Sequence, residues 1–93
     1  MADRIARKFI VRGRVQGVGY RYFAISAARQ AGVVGTVRNL PDGSVEVVAE
    51  GNPDAIMQLK VQLAKGPSLS RVTSVDETRI APAGRYESFD ATY

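Results

Sequence analysis

An α+β sandwich, with two helices on one face of a mainly antiparallel sheet of four to five strands, is the fold this sequence predicts. Three observations support that reading. Stretches of alternating period two are separated by two stretches of helical period. Each helical stretch closes on a glycine, Gly32 and Gly66. Between them, Leu40-Pro41-Asp42-Gly43 has the chemistry of a tight turn joining two strands.

Residues 1–6 read as a short polar tail. From Lys8 to Val15 the pattern alternates, with Phe9, Val11, Gly13 and Val15 on one face and Lys8, Ile10, Arg12 and Arg14 on the other. A helical run over Tyr22 to Ala31 follows. Its stripe of Tyr20, Phe23, Ala24, Ala27, Ala28 and Ala31 is mostly alanine, which lets a helix lie close on what it covers.

Val33 to Asn39 is a second strand, and Ser44 to Glu50 a third. In the third strand Val45, Val47 and Ala49 face the core, while Ser44, Glu46, Val48 and Glu50 face away. Asn52-Pro53-Asp54 then supplies a cap, a first-position proline and a first-turn acid. The helix it opens buries Ile56, Leu59 and Leu63, with the stem of Lys60 along the core edge. Arg71 to Ile80 is a fourth strand with Val72 and Val75 inward. Ala81 to Arg85 is a loop, and Phe89, Ala91 and Tyr93 suggest a last short strand.

This order is the split βαβ, ferredoxin-like arrangement. A right-handed crossover makes strands one and two parallel, with strand three between them. The glycine-rich end of strand one and Asn39 at the end of strand two then share one rim. At 93 residues the chain is one domain, 1–93, able to bury roughly two-thirds of its unfolded surface.

Composition removes much of the usual chemistry. There is neither Cys nor His, so disulfides, thiolate metal sites, a cysteine nucleophile and a histidine base are all excluded. No 18-residue apolar span and no signal-peptide pattern is present, so the cytosol is the expected location. Charge is uneven: residues 1–38 hold eight Lys and Arg against one acid, and residues 39–93 hold five against eight. The positive half attracts anions. Within it, Arg4, Arg7 and Lys8 read as solvated surface, and Arg14 and Arg38 as neighbours that add field without a catalytic part.

The positive half also contains Gly13-Arg14-Val15-Gln16-Gly17-Val18-Gly19-Tyr20-Arg21. A strand, a glycine turn and a helix start can aim backbone N–H groups and the helix dipole at one anion. Arg21, just inside the helix, offers a planar fork suited to two phosphate oxygens. The spacing matches neither G-x-x-x-x-G-K-[ST] nor G-x-G-x-x-G, which excludes the common nucleotide loops. Spacing alone serves a plain strand-to-helix turn equally well. Taken singly, Arg21 is an ordinary helix arginine and Asn39 an ordinary turn former.

The two motifs together are more specific. Gly13-x-Val15-Gln16-Gly17-Val18-Gly19-Tyr20-Arg21, followed by Gly35-Thr36-Val37-Arg38-Asn39 and Asp42-Gly43-Ser44-Val45-Glu46, resembles the acylphosphatase family over nearly the whole chain. The resemblance implies a ferredoxin-like fold, hydrolysis of carboxyl phosphates, and no metal or cofactor. It implies that Arg21 binds the substrate phosphate and that Asn39 positions the attacking water. Gln16, Gly17, Val18, Gly19 and Tyr20 would supply N–H donors to the phosphate. Two residues depart from the family pattern: Thr36 stands where an aromatic is usual, and Tyr20 stands where phenylalanine is usual.

The chemistry is consistent with that expectation. With no His, Cys or metal cluster, and no acid beside either motif except Asp42 across a turn, direct attack by water is the simplest route. An acyl phosphate has a good leaving carboxylate and a loose transition state, so positioning and charge stabilisation can supply most of the acceleration. An inactive phosphate- or carboxylate-sensing domain would keep the same cradle without turnover. RNA binding, which the pI of 9.9 raises, is disfavoured because strand three offers no outward aromatic ring. No feature argues for an oligomer or a membrane partner, so a monomer acting on a small molecule is expected.

Overall fold

The computed structural model describes residues 3–93. Seven elements follow in order: β1 (Ile5–Arg14), α1 (Tyr20–Ala31), β2 (Val34–Asn39), β3 (Val45–Gly51), α2 (Pro53–Lys65), β4 (Arg71–Ile80) and β5 (Phe89–Ala91). The strands form one sheet in the order β4-β1-β3-β2-β5. β3 is antiparallel to both β1 and β2, so β1 and β2 run the same way and end on one rim. Only β5 joins its neighbour in parallel.

Local chemistry explains the boundaries. The α1 helix stops where Gly32 turns left-handed at φ 77°, letting Val33 N–H reach Ala28 O at 2.8 Å. The α2 helix starts at Asn52, whose Oδ1 accepts from Ala55 N–H at 2.8 Å, with Pro53 next and Asp54 in the first turn. The hairpin closes as Leu40 N–H donates to Ser44 O at 2.9 Å, and Asp42 accepts from both the N–H and the hydroxyl of Ser44.

The core lies between the helices and the sheet. Phe9, Val11, Val37, Val45, Val47, Ala49, Leu59, Leu63 and Phe89 are all fully buried. Ala24 and Ala28 are also fully covered, which sets α1 close on the sheet. Each large apolar side chain buried in this way contributes on the order of 1.5–3 kcal/mol. Val72 and Val75 on edge strand β4 pack against this core only in part.

Several expectations need correction. The first strand starts at Ile5 rather than Lys8 and ends at Arg14 rather than Val15. Of the expected tail, Met1 and Ala2 lie outside the described residues, whereas Ile5 and Ala6 pair with Gly51 and Glu50. Glu50 was expected to face outward, yet it is 1% exposed. The connection between β4 and β5 crosses that end of the sheet, and the N–H groups of Ala83 (2.8 Å) and Gly84 (3.2 Å) bond its carboxylate.

Arg4 reaches the same carboxylate at 3.5 Å. Arg7 pairs with Glu77 and donates to Ala6 O, leaving 17% of its side chain exposed. Neither arginine is simple solvated surface. Ser44, also expected to face outward, is buried against the hairpin turn. The first helix begins two residues earlier than expected, at Tyr20, and the last strand stops at Ala91 rather than Tyr93.

Candidate active site

β1 delivers the chain to a turn in which Gly17 (φ 73°) and Gly19 (φ 79°) are both left-handed. A Cβ at either position would meet nothing within 4 Å, so conformation and not crowding requires glycine there. Gly19 is the N-cap of α1 and has no side chain to cap it, and no acid occupies the first turn. The contrast with α2, which has an Asn cap and an acid, is instructive. Among the described residues, the backbone N–H groups of Gln16 to Tyr22 donate to no other group. The dipole end of α1 is left for a ligand to satisfy.

Arg21 adds a full positive charge to that same first turn, which is unfavourable for the bare helix and favourable once an anion is present. It makes no ion pair among the described residues. Its guanidinium lies over the ring of Tyr93, 5.6 Å from the centroid. No sequence signal pointed to Tyr93 as a neighbour of the site, because the contact depends on where the chain passes after β5.

Asn39 ends β2 opposite Val45. Its Oδ1 is buried and has no hydrogen-bond partner among the described residues. A cavity of about 200 Å³ is lined by Val15, Gln16, Gly17, Gly19, Tyr20, Arg21, Tyr22 and Asn39. The topology therefore brings Arg21 and Asn39 together, although 17 residues lie between them in the sequence. A larger groove of about 620 Å³ between α1 and α2 contains none of these residues.

Two side chains lining the cavity are tied to neighbouring elements. The Gln16 Nε2 donates to Leu40 O at 2.8 Å and Ser44 O at 2.9 Å, tying the loop to the hairpin turn. The Tyr20 hydroxyl donates to Leu63 O at 2.7 Å, in the last turn of α2. Burial raises the phenol well above its ordinary pKa, so it stays protonated and able to donate. The hydroxyl absent from the usual phenylalanine thus caps a helix end. Thr36, the other departure, lies across from Val48 on the outer face of the sheet, remote from this chemistry. Arg38 is held by Glu46 at 2.9 Å.

Asp42, the acid nearest to either motif along the sequence, is held below its ordinary value. Hydrogen bonds from the Ser44 hydroxyl and N–H do most of this, with Arg12 adding to them. Such a carboxylate is committed to the turn and is a weak proton acceptor. The arrangement can hold a compact oxyanion at the end of α1 and direct a small polar molecule from Asn39.

Known proteins bear on what that oxyanion is. The acylphosphatase family model matches residues 7–91. An acylphosphatase of Pasteurella multocida is 45% identical, over 96% of this chain and 99% of its own. One from Anaeromyxobacter dehalogenans is 42% identical over the full length of both. The crystal structure of an acylphosphatase from Bacillus subtilis superposes with a TM-score of 0.92 at 35% identity, over 96% of this chain and 99% of that one. Among the described residues no helix is long and apolar enough to cross a membrane. Likeness that runs from end to end, in sequence and in fold, leaves one conclusion: the chain belongs to the acylphosphatase family and is a hydrolase of acyl phosphates.

Proposed function

We propose that the protein cleaves the carboxyl–phosphate bond by direct attack of water on phosphorus. The N–H groups of Gln16, Gly17, Val18, Gly19 and Tyr20, together with the Arg21 guanidinium, hold the phosphoryl oxygens. Asn39 Oδ1 accepts a hydrogen bond from the water and aims it. The observation that carries this reading is the buried, unpartnered Oδ1 of Asn39 on the same small cavity as Arg21. A buried carbonyl oxygen left without a donor is costly unless water or ligand supplies one.

The water oxygen forms a bond to phosphorus as the bond from phosphorus to the carboxyl oxygen breaks. The carboxylate leaves with the electron pair. The water proton passes to a phosphoryl oxygen of the substrate, so the enzyme supplies no base. Charge on the phosphoryl group spreads over oxygens that face N–H donors and a guanidinium, which stabilises the transition state more than the ground state.

Hydrolysis of a synthetic aromatic acyl phosphate tests the assignment. Asn39→Ala binds inorganic phosphate almost normally while kcat falls by about 100-fold or more, the loss of one oriented group at about 3 kcal/mol. Arg21→Ala loses phosphate binding and turnover together. An Asn39→Ala enzyme that retained most of its rate would remove the water assignment. The wild-type kcat is expected to stay flat between about pH 6 and 8, since the sequence has neither His nor Cys to act as a base there. We read residues 1–93 as one catalytic unit, working in the cytosol as a monomer. The absence of a stacking ring beside Glu46 and Val48 on the outer face of β3 supports a small-molecule partner over RNA.

A further inference from the structure

We propose that Gln16 is a positioning residue that fixes the distance between the phosphate cradle and the water held by Asn39, an inference that rests on the water-attack reading above. The two halves of the site stand on different strands, β1 and β2, with β3 between them. Among the described residues, the only hydrogen bonds from the glycine loop to the hairpin turn are the two made by Gln16 Nε2, to Leu40 O and Ser44 O. The fit is stoichiometric. A carboxamide nitrogen has two hydrogens, and each finds a carbonyl.

Both carbonyls belong to the pair that closes the hairpin. Leu40 O also accepts from Gly43 N–H at 3.1 Å, and Ser44 O accepts from Leu40 N–H at 2.9 Å. The far side of the turn is fixed by Asp42, which takes both donors of Ser44. Gln16 therefore grips a turn that is already rigid, at the residue directly after Asn39.

That grip matters because, among the described residues, Asn39 Oδ1 has no hydrogen-bond partner to set its aim. The direction of its carboxamide is inherited from the backbone at residues 39 and 40. A shift of about 1 Å between cradle and carboxamide is enough to cost about 100-fold in rate. The cradle itself, made of loop amides and Arg21, does not include the Gln16 side chain. Loss of that side chain should leave anion binding in place and mis-aim the water.

The experiment compares Gln16→Ala and Gln16→Glu with wild type, using a synthetic aromatic acyl phosphate as substrate and inorganic phosphate as competitive inhibitor. Circular dichroism melts run alongside. Gln16→Ala is expected to lose about 10- to 100-fold in kcat, with the phosphate inhibition constant within about 3-fold of wild type. Gln16→Glu presents an acceptor-only carboxylate to two carbonyls at neutral pH and one O–H donor when protonated. Its rate relative to wild type should rise several-fold as pH falls through the carboxylate range, while that of Gln16→Ala stays level.

A Gln16→Ala enzyme within about 2-fold of wild type in kcat overturns the proposal. So does a parallel loss of turnover and phosphate affinity, an absence of acid recovery in Gln16→Glu, or unfolding of both variants. A wild-type protein that leaves the acyl phosphate intact overturns the proposed function as well, which separates the two failures.

Discussion

At residue scale, the pair Tyr20 and Asn39 shows two opposite uses of a buried polar atom. The Tyr20 hydroxyl is fully spent on Leu63 O, and the Asn39 oxygen is kept unspent at the cavity. The first serves stability, and the second is free for the chemistry proposed above. Tyr20→Phe leaves the Leu63 carbonyl without its donor and is expected to cost about 1–3 kcal/mol. For a domain of this size each kcal/mol lowers the melting midpoint by roughly 4–8 °C. Since the ring remains in place behind the loop, kcat and KM should each stay within about 2-fold of wild type. Thermal melts beside steady-state kinetics check both halves of that statement.

At the scale of elements, glycine decides where backbones may touch. Gly35 on β2 has φ 142°, and a Cβ added there would sit 1.8 Å from Val48 O of β3. The Gly35 N–H also donates to Ser88 O at 3.0 Å, just ahead of β5. Gly35→Ala therefore forces backbone apart on a strand that ends in Asn39. It is expected to cost about 3 kcal/mol or more from strain and overpacking together, read as a shifted denaturant midpoint and a loss of kcat. The hairpin, the Asn52 cap and the glycine stops of both helices were legible beforehand, because a proline, an asparagine or a glycine acts within a few residues of itself; the ends of β1 and β5 and the start of α1 were not. Contacts of Gln16 with Leu40, Tyr20 with Leu63 and Glu50 with Ala83 were not legible. Each joins residues 24 or more apart, and periodicity assigns a side chain to a face without naming the polar partner it meets there. The Arg21–Asn39 meeting was an intermediate case, since strand order implied the shared rim while only the fold supplies the cavity.

For the whole molecule, acid stability follows from carboxylates held low in the folded state. Asp42 is lowered mainly by Ser44, and Glu77 mainly by its hydrogen bond from Lys60, with Arg7 contributing. A carboxylate with a depressed folded pKa adds stability that is complete above its unfolded value and lost as pH falls through the folded one. Their ordinary values are 3.8 and 4.5, so the melting midpoint should hold steady above about pH 5 and decline below it. Both groups are largely solvent-screened, so each contributes modestly. A melt series across that range checks the sign, and in Asp42→Asn the decline should be shallower.

The uncapped start of α1 also has a practical consequence. A helix end that waits for an oxyanion does not distinguish the phosphoryl group of a substrate from the orthophosphate that turnover releases. Product should therefore compete for the enzyme it has just left, and the same ion should shield it from heat. At 100 times its dissociation constant, orthophosphate would add about 2.7 kcal/mol to the folded state. Rates measured in phosphate buffer should fall below those in an amine buffer, while melting midpoints move the other way.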